Sequence, residues 1–472
     1  MIQDAHSSLP PVLEADVAIA GAGPAGITLA LELAERGHQI LLIEAGGENS
    51  PGELSSAYDN SISGRAYPLT GSRLRWLGGT SNHWGGWVRP LDAVDFEEQP
   101  GQEMPGWPFG HDRLTAGFER AATWCEIGSS QYDPSRIDAL QQAKLLDLRE
   151  TGFEHRIFRF SPPTRFGSRY RDALSQAGNI DCRVNLNLVE LNQSSDAIRT
   201  ARAVTASGAN CEIRARLFVL AMGGVENARF LLNQSSVPGN QSGLVGRCFM
   251  DHFGFTPGLL LADAGMQYER GQIPDSDLMV TMAPARGQPG PNSCLLLSAT
   301  APDDVLPPGY WSNPHAGRTP GGHYRISMIN APRPHPQSRV TLSDERDSLG
   351  LRQTHLHWHL PPTEFEPSIA LFERWMTAIS SAGLGRVRWT RRQAPELGEH
   401  VGVGYHHMGT TRLSASPDDG VADPNARVWD RDNLYLAGSS LFPSVGFANP
   451  TLTIVALAVR LAEHLDTRLQ RT

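Results

Sequence analysis

The amino-acid sequence predicts an α/β protein made of two intertwined domains, and three features carry that expectation. Its 472 residues exceed what one compact core holds. A glycine-rich turn near the N-terminus joins a short apolar run to a helical pattern. Runs of period-two alternation, the pattern of strands, return in the middle of the chain, and a buried-strand pattern returns near its end. The composition is that of an ordinary globular chain, 40% hydrophobic and 19% charged. The formal net charge of -9 is spread out with no block of one sign, which argues against a nucleic-acid partner.

The elements follow in order. Ala15 to Ala20 is a short apolar strand, glycines follow, and Ile27 to Arg36 is helical until Gly37 stops it. Gln39 to Ile43 is a second strand and leads to Glu44, completing a β-α-β unit. From Gly46 to Gly110 the chain is rich in Gly, Ser and Trp, a composition suited to wrapping a ligand. His111 to Glu126 reads as a helix, and Ile180 to Asn192 and Thr200 to Leu220 as strands of a small sheet. Leu217 to Ala221 is apolar enough for a buried strand and ends at Gly223-Gly224 before the helical run Val225 to Leu232. Residues 301–322 form a long Pro- and Gly-bearing loop, a candidate lid. Arg339 to Leu342 and Gln353 to Leu360 read as strands, Thr363 to Ala382 as a helix stopped by Gly383, Asn433 to Ala437 as a buried strand, and Thr451 to His464 as the final helix.

Location is bounded by what is missing. Met1 to Glu14 lacks the basic start and the apolar core of a secretory signal. No run of about 18 apolar residues is present, so no membrane partner is expected. Cys125, Cys182, Cys211, Cys248 and Cys294 show no CxxC spacing and read as buried free thiols of a cytoplasmic protein.

Gly21-Ala22-Gly23-Pro24-Ala25-Gly26 fits GxGxxG in the context that motif requires, after a strand and opening a helix. Gly21 permits the tight turn, Gly23 lets a pyrophosphate reach the backbone, and Gly26 lets helix and strand pack closely. The helix N-terminus then offers the phosphates its unpaired N–H groups. Glu44, eighteen residues after Gly26, can accept hydrogen bonds from ribose hydroxyls. Ala45 follows it at the strand end. These features predict a dinucleotide site but do not separate FAD from NAD.

Three late segments do. Tyr405-His406-His407-Met408-Gly409-Thr410, Asn433 to Ser439, and Ala448-Asn449-Pro450-Thr451-Leu452-Thr453, taken with the N-terminal fingerprint, resemble the glucose–methanol–choline (GMC) oxidoreductase family. Gly79-Thr80-Ser81-Asn82-His83-Trp84-Gly85-Gly86, and Val245-Gly246-Arg247 through Asp251-His252, resemble its pyranose-oxidase-like branch. The resemblance implies a Rossmann-like FAD-binding domain, drawn from 12–90, 178–250 and 400–472. It also implies a substrate domain with an antiparallel sheet and helices, drawn from 91–177 and 251–399. FAD is the implied cofactor. Besides the residues already named, Gly79, Ser81, Asn82, His83, Trp84, Gly85, Val189, Ala221, Gly223, Gly438, Ser439, Pro450 and Thr451 are its implied contacts.

The resemblance implies oxidation of CH–OH to C=O. His406 is the base and Asn449 the group that holds the substrate oxygen, and a hydride passes to flavin N5. The residue types suit the work. A neutral imidazole titrates near working pH and can take the hydroxyl proton, while an amide cannot titrate but can position the oxygen. His407 is the competitor for the base; extended backbone points neighbouring side chains in opposite directions, so only one of the two faces the flavin. Asn449 can also cap the last helix, with Pro450 at its first position and the helix dipole directed at the flavin ring. His83 matches a position that in that branch can be covalently joined to the flavin. Asn82 stands where the covalent branch is expected to carry Thr, so a non-covalent contact is favoured.

Other groups are read as ordinary structure first. His355, His357 and His359 share a strand face, with Leu356, Trp358 and Leu360 filling the other as core; no metal site is expected. Trp76, Trp84 and Trp87 are read equally as packing or as a sugar-binding wall. A small hydroxylated molecule, a sugar or glycoside first and a secondary-metabolite alcohol second, is the expected partner. An FAD lyase or isomerase with no net redox change is the alternative.

Overall fold

The computed structural model describes residues 1–50, 58–98, 101–288, 290–300, 322–390 and 401–471. Most of the segment read as a candidate lid, 301–321, lies outside the described residues.

The first sheet is organised around the N-terminal β-α-β unit. Its strands run in the order Ile2–Asp4, Ile180–Val184, Ile40–Ile43, Val12–Ala20, Asn210–Leu220, Ile198–Val204 and Asn187–Gln193, with Leu434–Leu436 also on Asn210–Leu220. The central strands read as unbroken apolar runs because they are covered on both faces. All four residues of Ile40–Ile43 are buried. Strand Asn210–Leu220 changes neighbours along its length. Its first part pairs antiparallel with Ile198–Val204, and Phe218 to Leu220 pair parallel with Leu434 to Leu436.

Register decides what this sheet can do. Ala20 is opposite Ile43 and Leu220, and Leu220 is opposite Leu436. The parallel strands therefore end level, and Gly21, Glu44, Ala221 and Ala437 leave the sheet side by side at its carboxyl edge, where open α/β sheets bind ligands. Helices Pro24–Glu35 and Thr451–Arg471 pack against each other, and Thr115–Trp124 packs on the latter.

The second sheet is antiparallel throughout. Its order is Arg386–Trp389, Phe253–Ala262, Gly322–Asn330, Ser293–Ala299, Leu278–Pro284, Phe153–Phe160 and Trp87–Val88, with Gly402–Val403 also on Phe253–Ala262. Helix Glu366–Ser381 contacts its edge, with Phe372 edge-on to Trp389. A small sheet joins Arg339–Arg346, Arg352–Trp358 and Asn60–Gly64. Leu356 and Trp358 are buried there, while the rings of His355 and His357 hydrogen-bond the hydroxyls of Ser61 and Ser63. The five cysteines are free and buried.

Candidate active site

At the carboxyl edge of the first sheet lies a cavity of about 970 Å³, at the upper end of the usual range for ligand pockets. Its nucleotide end is built by the fingerprint turn. Gly21 has φ +103°, and a Cβ there would sit 2.6 Å from the carbonyl oxygen of Ala221, so no side chain fits. Gly23 caps helix Pro24–Glu35, and a Cβ added to it would meet nothing within 4 Å. That open space lies in the cavity wall, directly before a helix N-terminus, and it suits a pyrophosphate. Pro24 and Ala25 also line the wall. Gly26 does not; a Cβ on it would overlap the carbonyl oxygen of Gly21, which is the packing role.

Glu44 is buried at the end of its strand. One carboxylate oxygen accepts from the Ala22 N–H at 2.9 Å and the other from the Gly46 N–H at 3.0 Å. Each oxygen keeps a lone pair for a ribose hydroxyl. Burial pushes its pKa up, opposed by those two N–H groups and by Arg75. Ala45 lines the wall beside it, as do Leu186, Asn187 and Leu188. Val189, the expected contact, does not line it; it is buried one residue further along the same strand.

The middle of the cavity is closed by Gly79, Ser81, His83, Trp84 and Gly85 from the glycine-rich segment, and by Ala221, Gly223, Gly438 and Ser439 from the strand ends. Gly438 has φ +105° and a Cβ on it would point into this space, with Gly223 Cα nearest at 4.0 Å. Asn82 turns away, its amide donating to the carbonyl of Leu77 at 2.9 Å. The Trp84 indole donates to Thr164 at 2.9 Å. Trp87 lines the cavity and Trp76 does not. Burial, then Arg165, holds the His83 pKa below its ordinary value. With open glycine backbone before a helix N-terminus, a buried carboxylate and a long cleft, the residues fit FAD.

His406, Asn449, Pro450 and Thr451 all line the same cavity. The last helix begins at Thr451, and the Pro450 carbonyl accepts from the Ile454 N–H at 2.9 Å. Pro450 therefore holds the cap position and Asn449 precedes it, one residue off the expected start. The imidazole of His406 meets His252, Nδ1 to Nδ1 at 2.8 Å, and the His252 Nε2 donates to the carbonyl of Gly446 at 2.6 Å. The Nε2 of His406 has no hydrogen-bond partner among the described residues. Burial, then His252 and His407, holds its pKa well below the ordinary imidazole value.

His407 also lines the cavity, but its ring nitrogen is engaged. Its Nε2 lies 3.0 Å from the Ser72 hydroxyl, which itself donates to the Leu69 carbonyl at 2.7 Å, so the imidazole is the donor. Its ring packs against Tyr67 and Phe249, and burial pushes its pKa down to about 3.

Asp251 and His252 are the site residues that sequence reasoning missed as functional. They sit opposite 404–406 because the chain on either side is paired. Met250 and Met408 exchange N–H···O bonds at 2.9 and 3.0 Å, the Gly404 N–H donates to the His252 carbonyl at 3.0 Å, and Phe253 pairs with Val403. The sequence held one signal, the Asp251-His252 dipeptide within the resemblance, and nothing that tied it to His406, 154 residues away.

Comparisons with known proteins agree with this geometry. Residues 14–57 match a family described as FAD binding domain, and residues 334–458 one described as GMC oxidoreductase. The chain is similar to 2-methyl-1,2-propanediol dehydrogenase of Mycolicibacterium austroafricanum, at 24% identity over 96% of each chain. It is similar to paromamine 6'-oxidase of Streptomyces fradiae, at 26% identity over 95% of this chain and 90% of that one. Among solved structures it resembles a formate oxidase, with a TM-score of 0.66 at 18% identity over 98% of this chain and all of that one, a likeness of fold. No described helix is long and apolar enough to cross a membrane.

Proposed function

Because the chain belongs to the glucose–methanol–choline oxidoreductase family, FAD-dependent enzymes that oxidise CH–OH groups, we propose that it oxidises a hydroxyl of a sugar, a glycoside or a secondary-metabolite alcohol, with His406 as base. The observation that carries this reading is the Nε2 of a half-buried imidazole held neutral by its surroundings, with no partner among the described residues. It shares one cavity with Asn449 and with the N-terminus of the last helix.

Each residue then has a stated task. His406 accepts the hydroxyl proton at Nε2 as the carbon–hydrogen bond weakens. The Asn449 amide holds the substrate oxygen and does not titrate. Bound FAD supplies the acceptor for the two electrons and the hydrogen that leave the carbon. The N–H groups of the first turn of helix Thr451–Arg471 offer positive partial charge where negative charge gathers. Gly21, Gly23 and Glu44 hold the nucleotide, and His83 contacts the flavin without a covalent bond. The division of the chain into an FAD domain and a substrate domain at the sequence-read boundaries is part of this reading. The substrate proposal is supported by relatives named for 2-methyl-1,2-propanediol, paromamine and C-glycosides. The oxidases and dehydrogenases among the relatives give the redox-neutral alternative no support.

Anaerobic mixing of the yellow enzyme with sugars, glycosides and small diols tests the reading. Loss of the oxidised-flavin absorbance with a sugar or glycoside is expected; bleaching by none of them overturns the substrate class. Acid precipitation tests the flavin linkage: a yellow supernatant over a colourless pellet is expected, and a yellow pellet assigns a covalent bond.

A further inference from the structure

We propose that His252 is a positioning residue that locks His406 into the one neutral tautomer able to accept a proton. The proposal rests on the reading of His406 as the base. It follows from counting protons along a chain of three groups. The Gly446 carbonyl can only accept, so at 2.6 Å the His252 Nε2 must carry hydrogen. The two Nδ1 atoms, 2.8 Å apart, must share one hydrogen. A neutral His252 has already placed its hydrogen on Nε2, so the shared one belongs to His406. A neutral His406 then has a bare Nε2, and that atom is the one with no partner among the described residues. The other assignment makes His252 a cation, although its side chain is 2% exposed and faces no carboxylate in this chain of contacts. Burial independently holds His252 down to about 4.

Both ends of the chain are held mechanically. A Cβ on Gly446 would overlap the carboxylate of Asp95, so that peptide packs closely against Asp95 and only glycine fits there. Asp251 grips the base's own backbone, accepting from the Tyr405 N–H at 2.9 Å and the His406 N–H at 2.8 Å while Tyr67 donates to it at 2.6 Å. Those bonds hold Tyr405 at φ +60°, a conformation a tyrosine rarely adopts. A Cβ on Gly404 would sit 2.7 Å from the His406 Nδ1, so only glycine at 404 leaves the ring its place beside His252. When Nε2 takes the substrate proton, the Nδ1–H to His252 bond becomes charge-assisted and strengthens as charge develops.

The test compares His252→Phe, which removes the acceptor, with His252→Asn, whose amide oxygen can accept the same hydrogen. Two measurements decide it. In protein labelled with ¹⁵N-histidine, the signal lost in His406→Ala identifies the ring. A bare Nε2 is expected in the wild type and in His252→Asn, and a mixture of tautomers in His252→Phe. An Nε2–H signal in the wild type, or identical spectra in all three, overturns the lock without any substrate. Flavin reduction is then followed with the fastest of D-glucose, methyl glucoside and 2-methyl-1,2-propanediol. His252→Phe is expected to be slowed about 10–100-fold with FAD content and melting temperature retained, and His252→Asn to recover most of the rate. In the His406→Ala background, His252→Phe is expected to cost nothing further, because His252 acts only through that ring. Full activity of His406→Ala overturns the base itself; a slow His406→Ala with a fast His252→Phe overturns the lock alone.

Discussion

At the scale of single residues, the fingerprint glycines separate into two kinds, and substitution distinguishes them. A methyl group on Gly23 enters open cavity, whereas one on Gly26 collides with the Gly21 carbonyl. Gly23→Ala should therefore melt like the FAD-free wild type yet purify with little flavin. Gly26→Ala should lose about 1–3 kcal/mol of stability before binding is asked about, read from denaturant midpoints of the FAD-free proteins. The proposed base, His406, carries a pH prediction with a definite sign. Burial disfavours the imidazolium of His406, so its pKa lies well below 6.5 and the ring is unprotonated at and above that pH. The kcat/KM profile should stay level from pH 8 down through 6.5 and fall only in more acidic buffer. An acid limb centred at or above 6.5 would contradict the assignment of that ring.

At the scale of elements, helix Gly223–Leu232 is tied to the hairpin between Arg339–Arg346 and Arg352–Trp358 by a buried ionic chain. Arg73 pairs with Glu226, Glu226 with Arg229 at 3.1 Å, and Arg229 with Asp347 at 2.6 Å. The other Asp347 oxygen accepts from the N–H groups of Leu349 and Leu351, shaping the hairpin turn. Asp347→Ala leaves Arg229 buried with one partner fewer and should cost about 3–5 kcal/mol, measured by denaturant unfolding. A loss under 1 kcal/mol would mean that water enters and solvates the guanidinium.

The elements also show what was legible in the sequence. The β-α-β unit, the buried strand before Gly223 and the last helix were readable because their periods and their glycines agree. The second sheet was not. Strands such as Leu278–Pro284 are buried at almost every position, and a strand covered on both faces loses the alternation that marks it. The last helix runs past His464 to Arg471 because Leu465 and Leu469 continue its buried stripe, a signal obscured by charged neighbours. In the site, residues on the fingerprint and at strand ends were legible, since local motif and position coincide. The pairing of His252 with His406 was not, because it is created by the ladder between 250–253 and 403–408, which no local pattern announces.

At the scale of the whole molecule, the binding cavity exists only because segments hundreds of residues apart end level on one sheet. Ala20, Leu220 and Leu436 share a register, so the turns after them converge, and residues 79–87 close the cavity over them. No one of these segments can hold FAD alone, so the ligand binds the folded chain and not the unfolded one. Folding stability must then rise with FAD concentration, by about 2.7 kcal/mol at a hundredfold excess over Kd and about 1.4 kcal/mol for each further decade. Protein stripped of FAD should melt lower and regain its melting temperature on titration with FAD. Its gain in hydrogen-exchange protection should fall together on 21–26, 79–87, 221–224 and 438–439, and far less on the interior strands Leu278–Pro284 and Ser293–Ala299 of the second sheet. If protection appeared at the fingerprint alone, the late strand end and the glycine-rich segment would be packing against protein and not ligand, and the convergence at the sheet edge would have to be explained without a flavin.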